Sequence, residues 1–387
     1  MNGSKKIAIY GTFDVDNYGD LLFPHIAKYR LEDFKIEVVS PTRRKTIFND
    51  EMHKISFKES VKRKYDAVLI GGGNILHLKH NNFTVYKENG FNYADLWLGA
   101  INIAAKNKCP SIINAPSIPY FFYDYIEKKL SKRAFKYCSY ISLRENYSKK
   151  IVESLNNKNI DIKVVPDTAF DISRLWPYKG DKKKVMTINL NERYHGDIEQ
   201  TTYWIEEIYK VLNLSLVFIV IGDCHGDLEF TKKVCNNLKI DYKITNSNNL
   251  KEIAHSIAGS ELFIGSSMHG FITALSFDVP SFLVLNDKPI HKFLGLLEIC
   301  ELEKNSLCSS FKECFENIEK PANLNERMKL KIQSDLDNHW VKISNLINSD
   351  YKTQSNLFLR NYIFLLNNSK KISSILKILK KLKKRVS

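Results

Sequence analysis

No apolar run in the sequence reaches the ~18 residues that a membrane-spanning helix needs. Residues 1–13 pass from a short polar stretch directly into a strand-like run, without the apolar region and small-residue cleavage site of an export signal. We therefore expect a cytoplasmic protein. Its 387 residues, of which 44% are hydrophobic and 26% charged, are ordinary for a globular protein of about two domains.

Cysteines are few, and their arrangement does not indicate disulfides. The seven cysteines are odd in number, scattered along the chain and never spaced C-x-x-C. This pattern fits reduced cytosolic thiols better than a disulfide framework or a zinc site.

Short cofactor and metal motifs are also missing. The segment after the first predicted strand does not have the G-x-G-x-x-G spacing of a dinucleotide-binding turn. No two histidines have the H-x-x-x-H spacing, and we find no cluster of ligand-type residues that argues for a metal site. We expect no cofactor and no metal.

Acidic residues are absent from the C-terminal tail, and this explains much of the net charge of +15. Eight cations lie from Lys370 onward, and removing them from +15 leaves +7 for the rest of the chain. The body is therefore only mildly basic, and we do not predict nucleic-acid binding.

Strand-like and helix-like segments alternate along the chain, and the strands are nearly continuous apolar runs. This pattern predicts an α/β fold with two doubly wound, Rossmann-like domains that face a cleft. The alternation pauses at SRLWPYKGDKKK, which has the composition of a linker. The predicted organisation is an N-terminal domain, a linker, a C-terminal domain, a helical return segment and a basic amphipathic tail, over residues 1–172, 173–184, 185–305, 306–350 and 351–387.

Ligands of doubly wound sheets bind beyond the carboxyl ends of the strands, so the loops there hold the candidate residues. Asn17, Gly19 and Asp20 lie between the first predicted strand and a helix, whose free N–H groups could bind an anionic substrate. The alternative is an ordinary turn in which Asp20 caps the helix.

Three glycines, Gly71, Gly72 and Gly73, directly follow the apolar strand VLI, and Asn74 and His77 come next. Glycines after a strand allow the backbone to approach a substrate closely, and His77 would then point from this loop toward the cleft. Equally, the glycines could permit tight packing of a crossover connection.

Cationic and imidazole side chains follow two other strands. Arg144 follows YISL, whereas Arg193 and His195 follow TINL. The arginine fork suits carboxylate or phosphate, and histidine exchanges protons near neutral pH. Each could instead be a surface residue or part of a salt bridge. Asp167, just before the linker, could orient a base, accept a hydrogen bond from a sugar hydroxyl or cap a turn.

The segment GSSMHGFITALSFDVPSF is the most informative. Ser266, Ser267 and His269 lie between a strand and a helix, and Gly270 opens that helix. A helix N-terminus, two hydroxyls and an imidazole form a good site for an anion. Alternatively, the serines cap the helix and His269 packs in a turn. Two further candidates follow the next predicted strand and reach the same edge: Lys288 and His291.

Several motifs together resemble the polysaccharide pyruvyl transferase family over roughly residues 7–297. They are N-x-G-D after the first strand, a strand ending in GGG, S-L-R-E-x-x-S, V-P-D-x-A-F, and G-S-S-M-H-G-x-I-T-A-L-S-F-x-V-P followed by D-K. The resemblance implies an architecture similar to the GT-B glycosyltransferases. It also implies transfer of pyruvate from phosphoenolpyruvate to a sugar of a cell-surface glycan or its lipid-linked precursor, commonly as a ketal.

The resemblance extends to single residues. His269 matches the histidine of an S-x-x-H-G-type motif, Arg144 the arginine of R-x-x-x-S, and Lys288 a lysine after the next strand. Many members have R-L-H-G, and Ser267 stands here in place of that arginine. The implied role of His269 is proton transfer. Asp167 or His77 would act on the acceptor. The donor would be bound by Arg144, Arg193 and Lys288.

Two other functions remain open from the sequence. A GT-B glycosyltransferase would place a nucleotide pyrophosphate against residues 265–270. A non-catalytic glycan-assembly protein would fit the loss of the arginine at Ser267.

The tail predicts contact with a membrane. Ile372, Ile375, Leu376, Leu379 and Leu382 line one helical face, and lysines fill the rest. A basic amphipathic helix of this kind is typical of peripheral binding to anionic lipid, here at the inner face of the membrane. Packing on the protein body and a frayed tail are the alternatives.

Overall fold

A computed structural model provides the fold. It describes residues 4–49, 52–79, 90–155, 160–195, 197–222, 226–286, 291–350, 361–368 and 371–372.

The first half of the chain forms a seven-stranded parallel sheet in the order β3-β2-β1-β4-β5-β6-β7. Its strands are β1 (Lys6–Tyr10), β2 (Lys35–Ser40), β3 (Lys54–Ser56), β4 (Ala67–Gly71), β5 (Ser111–Asn114), β6 (Tyr140–Leu143) and β7 (Ile162–Val164). The central strands are buried on both faces, which explains why their sequences are continuous apolar runs.

The second half forms a six-stranded parallel sheet in the order β10-β9-β8-β11-β12-β13. Its strands are β8 (Lys183–Asn189), β9 (Ser215–Ile219), β10 (Tyr242–Thr245), β11 (Ser260–Gly265), β12 (Ser281–Val284) and β13 (Leu307–Cys308). Strand β13 lies in the segment predicted as a helical return, and its two residues pair with β12 and extend this sheet.

Helices flank both sheets. They are α1 (Tyr18–Arg30), α2 (Phe57–Ser60), α3 (Asn92–Ala94), α4 (Ala100–Asn107), α5 (Tyr125–Tyr137), α6 (Asn146–Ser154), α7 (Ile172–Leu175), α8 (Ile198–Leu212), α9 (Asp227–Cys235), α10 (Leu250–Ala258), α11 (Met268–Ser276), α12 (His291–Ile299), α13 (Phe311–Glu316), α14 (Glu326–Asn348) and α15 (Tyr362–Asn367). A π-helical turn, Asp95–Gly99, joins α3 to α4. The predicted fold class is confirmed, whereas the domain boundaries drawn from the sequence stay a prediction.

In each sheet the strand order reverses beside the first strand, at β1/β4 and at β8/β11. Such switch points open a crevice at the carboxyl ends of the strands. The two crevices meet, because the start of α1 is hydrogen-bonded to the segment that directly follows β9. The Tyr18 N–H donates to the Ile221 carbonyl at 2.9 Å, and Asn17 forms an isolated bridge with Gly222. Apolar side chains of α1 and α11 share one core cluster, which packs the two units together.

Helix α14 returns from the second sheet to the first. His339 bridges two strands of the first sheet, since its ring nitrogens lie 3.0 Å from the Tyr140 hydroxyl and 2.7 Å from Asn114 Oδ1. The Trp340 indole donates to Asp171 at 3.0 Å. These buried contacts fix the end of the second unit on the first.

The tail is described only in part. Helix α15 packs against α5, and the Tyr362 hydroxyl donates to Asp95. Residues 373–387, which carry most of the predicted amphipathic helix, lie outside the described residues. Among the helices that the structure describes, none is long and apolar enough to cross a bilayer.

Candidate functional site

A cavity of about 790 Å³ lies where the two crevices meet. Its walls include eleven of the residues chosen from the sequence. They are Asn17, Asp20, Gly73, Asn74, His77, Arg144, Arg193, Ser266, Ser267, His269 and His291. Loops after β1, β4 and β6 form one wall, which we call the first wall. Loops after β8, β11 and β12 form the opposite one, the second wall.

The first wall begins at α1. Asn17, rather than Asp20, is the helix N-cap, because its side-chain oxygen accepts from the Gly19 N–H at 2.9 Å. Asp20 lies one turn on and its carboxyl lines the cavity. Burial raises the pKa of Asp20, although nearby His269 and Arg144 oppose this shift. Gly19 lies against His269 so closely that a Cβ there would overlap the imidazole. This contact requires glycine and joins the two walls.

The three consecutive glycines have separate tasks. Gly72 and Gly73 have φ values of +51° and +68°, a left-handed conformation that favours glycine. Gly73 and Asn74 line the cavity, and a Cβ on Gly73 would meet Asp20 Oδ1. Gly71 instead packs on Ile9 inside the sheet. Gly73 therefore lies where the backbone faces the cavity, whereas Gly71 packs inside the sheet, and a role of the glycines in substrate binding stays a prediction.

Arg144 is fixed by two hydrogen bonds. It donates to Asp167 Oδ2 at 2.7 Å and to Asn74 Oδ1 at 2.8 Å, with only 5% of its surface exposed. Burial alone would raise the pKa of Asp167, but His269 and Arg144 outweigh it and hold that pKa well below its usual range. Asp167 also caps the turn after it by accepting from the Ala169 N–H at 2.9 Å. Arg144 is therefore held in place without cost from an unpaired buried charge.

His269 faces this pair from the second wall. Its Nε2 lies 3.7 Å from Asp167 Oδ2, beyond hydrogen-bonding distance, and has no hydrogen-bond partner among the described residues. The ring packs edge-on against Phe23 with centroids 5.4 Å apart. The Nε2 nitrogen is therefore available to a ligand, beside the carboxylate of Asp167.

The N-terminus of α11 supplies polar groups beside His269. Ser267 is the N-cap and accepts from the Gly270 N–H at 3.2 Å, so the capping interpretation holds for this residue. The Ser266 hydroxyl lines the cavity, and it has no hydrogen-bond partner in the described part of the chain. Gly270 does not line the cavity and packs on Phe263.

Arg193 and His195 separate after β8. Arg193 lines the cavity, and its backbone N–H is held by the side chain of Asn191 at 2.9 Å. His195 is buried between Phe230 and Phe311 and does not line the cavity. Burial lowers the pKa of His195 to about 4, so it is neutral. Substrate binding by His195, as predicted from the sequence, is not supported by this position.

His77 lines the first wall in a neutral form. Burial, followed by the charge of Lys79, lowers its pKa to about 3. The ring lies 4.1 Å from that of Tyr93, and its Nδ1 accepts from the Lys79 N–H at 3.3 Å. A neutral imidazole of this kind can bind a hydroxyl but is a weak base.

Lys292 is a residue that the sequence argument missed. It is half-buried at the start of α12 and lines the cavity beside His291. Burial, then Arg144 and Arg193, lower its pKa to about 8. Lys288, which the sequence argument chose instead, lies outside the described residues. Its position in the sequence could have identified Lys292, because it directly follows the candidate His291.

The charge of the cavity follows from these positions. Among the described residues, four cations line it: Lys79, Arg144, Arg193 and Lys292. Two carboxylates line it as well, and one of them, Asp227, accepts from Asn191 at 2.8 Å. The described residues contain no cluster of three or more potential metal-binding side chains. The four cations favour a ligand with more than one negative group.

The profile of the polysaccharide pyruvyl transferase family matches residues 17–288, which is more than half of the chain. The chain belongs to the polysaccharide pyruvyl transferase family. It is therefore a transferase, as the resemblance implied. No curated protein sequence matches it significantly.

Solved structures share the fold of this pyruvyl transferase family member. The MnaA protein of S. aureus, solved with UDP, has a TM-score of 0.55 and 13% identity, over 89% of this chain and 98% of that chain. The UDP-GlcNAc 2-epimerase of Neisseria meningitidis, bound to UDP-GlcNAc, has a TM-score of 0.53 and 14% identity, over 89% and 99%. At this identity the similarity shows the GT-B fold alone.

Proposed function

We propose that the protein transfers pyruvate from phosphoenolpyruvate to a sugar of a cell-surface glycan or of its lipid-linked precursor. The observation that carries the proposal is that His269 lines one cavity together with Arg144, Arg193 and Lys292. The chain that holds this cavity belongs to the pyruvyl transferase family.

The second wall and Arg144 supply the donor site. Phosphoenolpyruvate carries a carboxylate and a phosphate, and charge-assisted hydrogen bonds to such groups are strong. Within the described residues, Arg193 and Lys292 form no ion pair, so both can bind one anionic group. The Ser266 hydroxyl and the N-terminus of α11 add donors beside them.

Ser267 stands where many family members have arginine. It caps helix α11 and brings no positive charge to the cavity. Lys292 and Arg193 line the same wall and supply positive charge there. We propose that they bind the donor in place of the arginine, with Lys292 in the role first expected of Lys288.

The reaction balances with His269 as the proton-transfer group. Protonated His269 gives its proton to the methylene carbon of phosphoenolpyruvate, which becomes a methyl group and leaves an oxocarbenium-like centre at the adjacent carbon. A sugar hydroxyl attacks that centre and returns a proton to His269. The C–O bond to phosphate then breaks, a second hydroxyl attacks the same carbon to close the ketal, and the proton of that hydroxyl leaves with inorganic phosphate. Asp167 Oδ2 lies 3.7 Å from Nε2 of this imidazole and faces it during the transfer.

The acceptor lies on the other side of His269, against the first wall. Neutral His77 and Tyr93 offer a polar atom and a ring face to a sugar. Because its pKa is about 3, His77 is suited to orienting a hydroxyl rather than to removing its proton.

Donor binding tests the proposal and separates it from a GT-B glycosyltransferase. Thermal shifts are measured with phosphoenolpyruvate and, separately, with UDP-sugars. We expect stabilisation by phosphoenolpyruvate, and a loss of that shift in Lys292→Met but not in Lys62→Met, a lysine outside the cavity. Stabilisation by UDP-sugars alone would support the glycosyltransferase. No response to either donor would support a non-catalytic assembly protein.

A further inference from the structure

Exposed aromatic side chains are concentrated beside the cavity. Residues 115–124 connect β5 to α5, and three of them, Tyr120, Phe121 and Tyr123, have 45%, 40% and 77% of their surface exposed. Exposing large rings to water is unfavourable, and clusters of them commonly mark binding surfaces.

The loop that carries these rings is firmly held. Phe122 is buried between its exposed neighbours and lies 6.1 Å from the Trp97 ring. The Ser117 N–H donates to the Gly73 carbonyl at 2.8 Å, and the Ile118 N–H donates to Ser148 Oγ at 2.7 Å. Rings on a fixed backbone lose little entropy when a ligand packs on them.

The rings form a continuous path to the cavity. Tyr123 lies 6.0 Å from Phe121, and Phe121 lies 5.6 Å from Tyr147 at the start of α6. Tyr147 stacks on His291 at 4.1 Å, and His291 lines the cavity. We call Tyr123, Phe121, Tyr147 and His291 the aromatic row.

Tyr120 stands beside the row at the cavity mouth. It lines the cavity, and Lys79 Nζ lies 3.2 Å from the centre of its ring. This cation–π contact holds Tyr120 and Lys79 together, and the Tyr120 ring forms part of the cavity lining.

We propose that the aromatic row binds an oligosaccharide acceptor, with the sugar to be modified in the cavity and further sugars on Tyr147, Phe121 and Tyr123. This inference rests on the proposed function. A sugar ring presents a face of C–H bonds that packs on an aromatic ring, and its hydroxyls reach tyrosine oxygens at the ring edge. The row ends at His291, which lines the cavity that also holds His269. The acceptor is thus an oligomer or polymer rather than a monosaccharide.

The test compares wild type with the double variant Phe121→Ala/Tyr123→Ala. The control is Tyr203→Ala, which removes a ring of 53% exposure on α8, in the other half of the molecule. Binding is measured on an array of bacterial surface oligosaccharides, and affinity for phosphoenolpyruvate is measured by calorimetry. We expect at least tenfold weaker retention of oligosaccharides by the double variant, with wild-type retention in Tyr203→Ala and wild-type affinity for phosphoenolpyruvate in both.

The outcomes separate this inference from the proposed function. Equal retention by the double variant, or no retained glycan on the wild-type array, overturns the aromatic row. Binding of the wild type to phosphatidylglycerol vesicles that depends on Phe121 and Tyr123 would make the row a membrane contact and also overturn it. Retained glycans without phosphoenolpyruvate binding would instead contradict the donor assignment and leave the row standing.

Discussion

The two walls of the cavity carry similar charges but hold them differently. On the first wall, Arg144 is buried and hydrogen-bonded to Asp167 and Asn74. On the second, Arg193 is exposed and Lys292 is half-buried, and neither forms an ion pair with a described residue. A cation in a satisfied network stabilises the fold and positions its neighbours, whereas an unpaired one is available to a ligand. The difference assigns a positioning role to Arg144 in addition to its contact with the donor, and donor binding alone to Arg193 and Lys292.

His269 lies between the walls, and its loss should have the largest effect. His269→Ala is expected to lower the rate of transfer by ~10²–10⁴, since an acid–base group is removed while the fold is kept. Released phosphate gives the rate, and circular dichroism checks the fold. The control is His53→Ala, an exposed histidine outside the cavity. Wild-type turnover in His269→Ala would remove this histidine from the mechanism.

Replacing one arginine on each wall tests the contrast in stability. Arg144→Met leaves Asp167 buried without its cation and should lower the free energy of unfolding by ~3–5 kcal/mol. Arg193→Met removes an exposed side chain and should change it by less than ~0.5 kcal/mol. Urea denaturation measures both. Similar losses in the two variants would show that the walls do not differ as described.

Donor affinity should depend on pH through Lys292. Its pKa is lowered to about 8, so the amine is charged below that pH and neutral above it. The dissociation constant for phosphoenolpyruvate should therefore rise by up to about tenfold per pH unit above pH 8. Calorimetry across this range measures the slope. Lys292→Arg keeps the charge and should flatten it, and an unchanged slope in this variant would assign the effect to another group.

The last contrast concerns the tail rather than either wall. A chain ending at Asn368 loses the lysines that are expected near an anionic surface, each contributing about 1 kcal/mol before screening by salt. Full-length protein should sediment with anionic vesicles more than the shortened protein does, and salt should reduce the difference. Equal sedimentation of the two proteins would show that the tail does not bind the membrane, and that it packs on the protein body or is frayed.

The sequence predicted the sheets well because buried parallel strands are long apolar runs. It also predicted which loops meet, since the carboxyl ends of parallel strands share one edge. It did not predict which side chains turn inward. His195 packs between two phenylalanines, although Arg193, two residues earlier, lines the cavity. That distinction depends on the backbone after β8, which residue types do not determine.

The N-cap of helix α1 also could not be assigned from residue types alone. Asn17 and Asp20 are both suited to an N-cap, and only the position at which α1 begins decides between them. Lys292 was missed because the sequence does not show where α12 starts. The aromatic row joins residues 121 and 123 to Tyr147 and His291, which are distant in the sequence and meet only in the fold.

The most direct test of the proposed reaction follows solvent hydrogen into the product. Wild-type protein is incubated with phosphoenolpyruvate and an accepting oligosaccharide in D₂O, and the product is examined by mass spectrometry and NMR. Because the methylene carbon takes one proton from a solvent-exchanged His269, we predict a pyruvate ketal whose methyl group carries one deuterium, with one phosphate released per ketal. A ketal methyl group without deuterium, or an oligosaccharide that gains no pyruvate, would contradict the account.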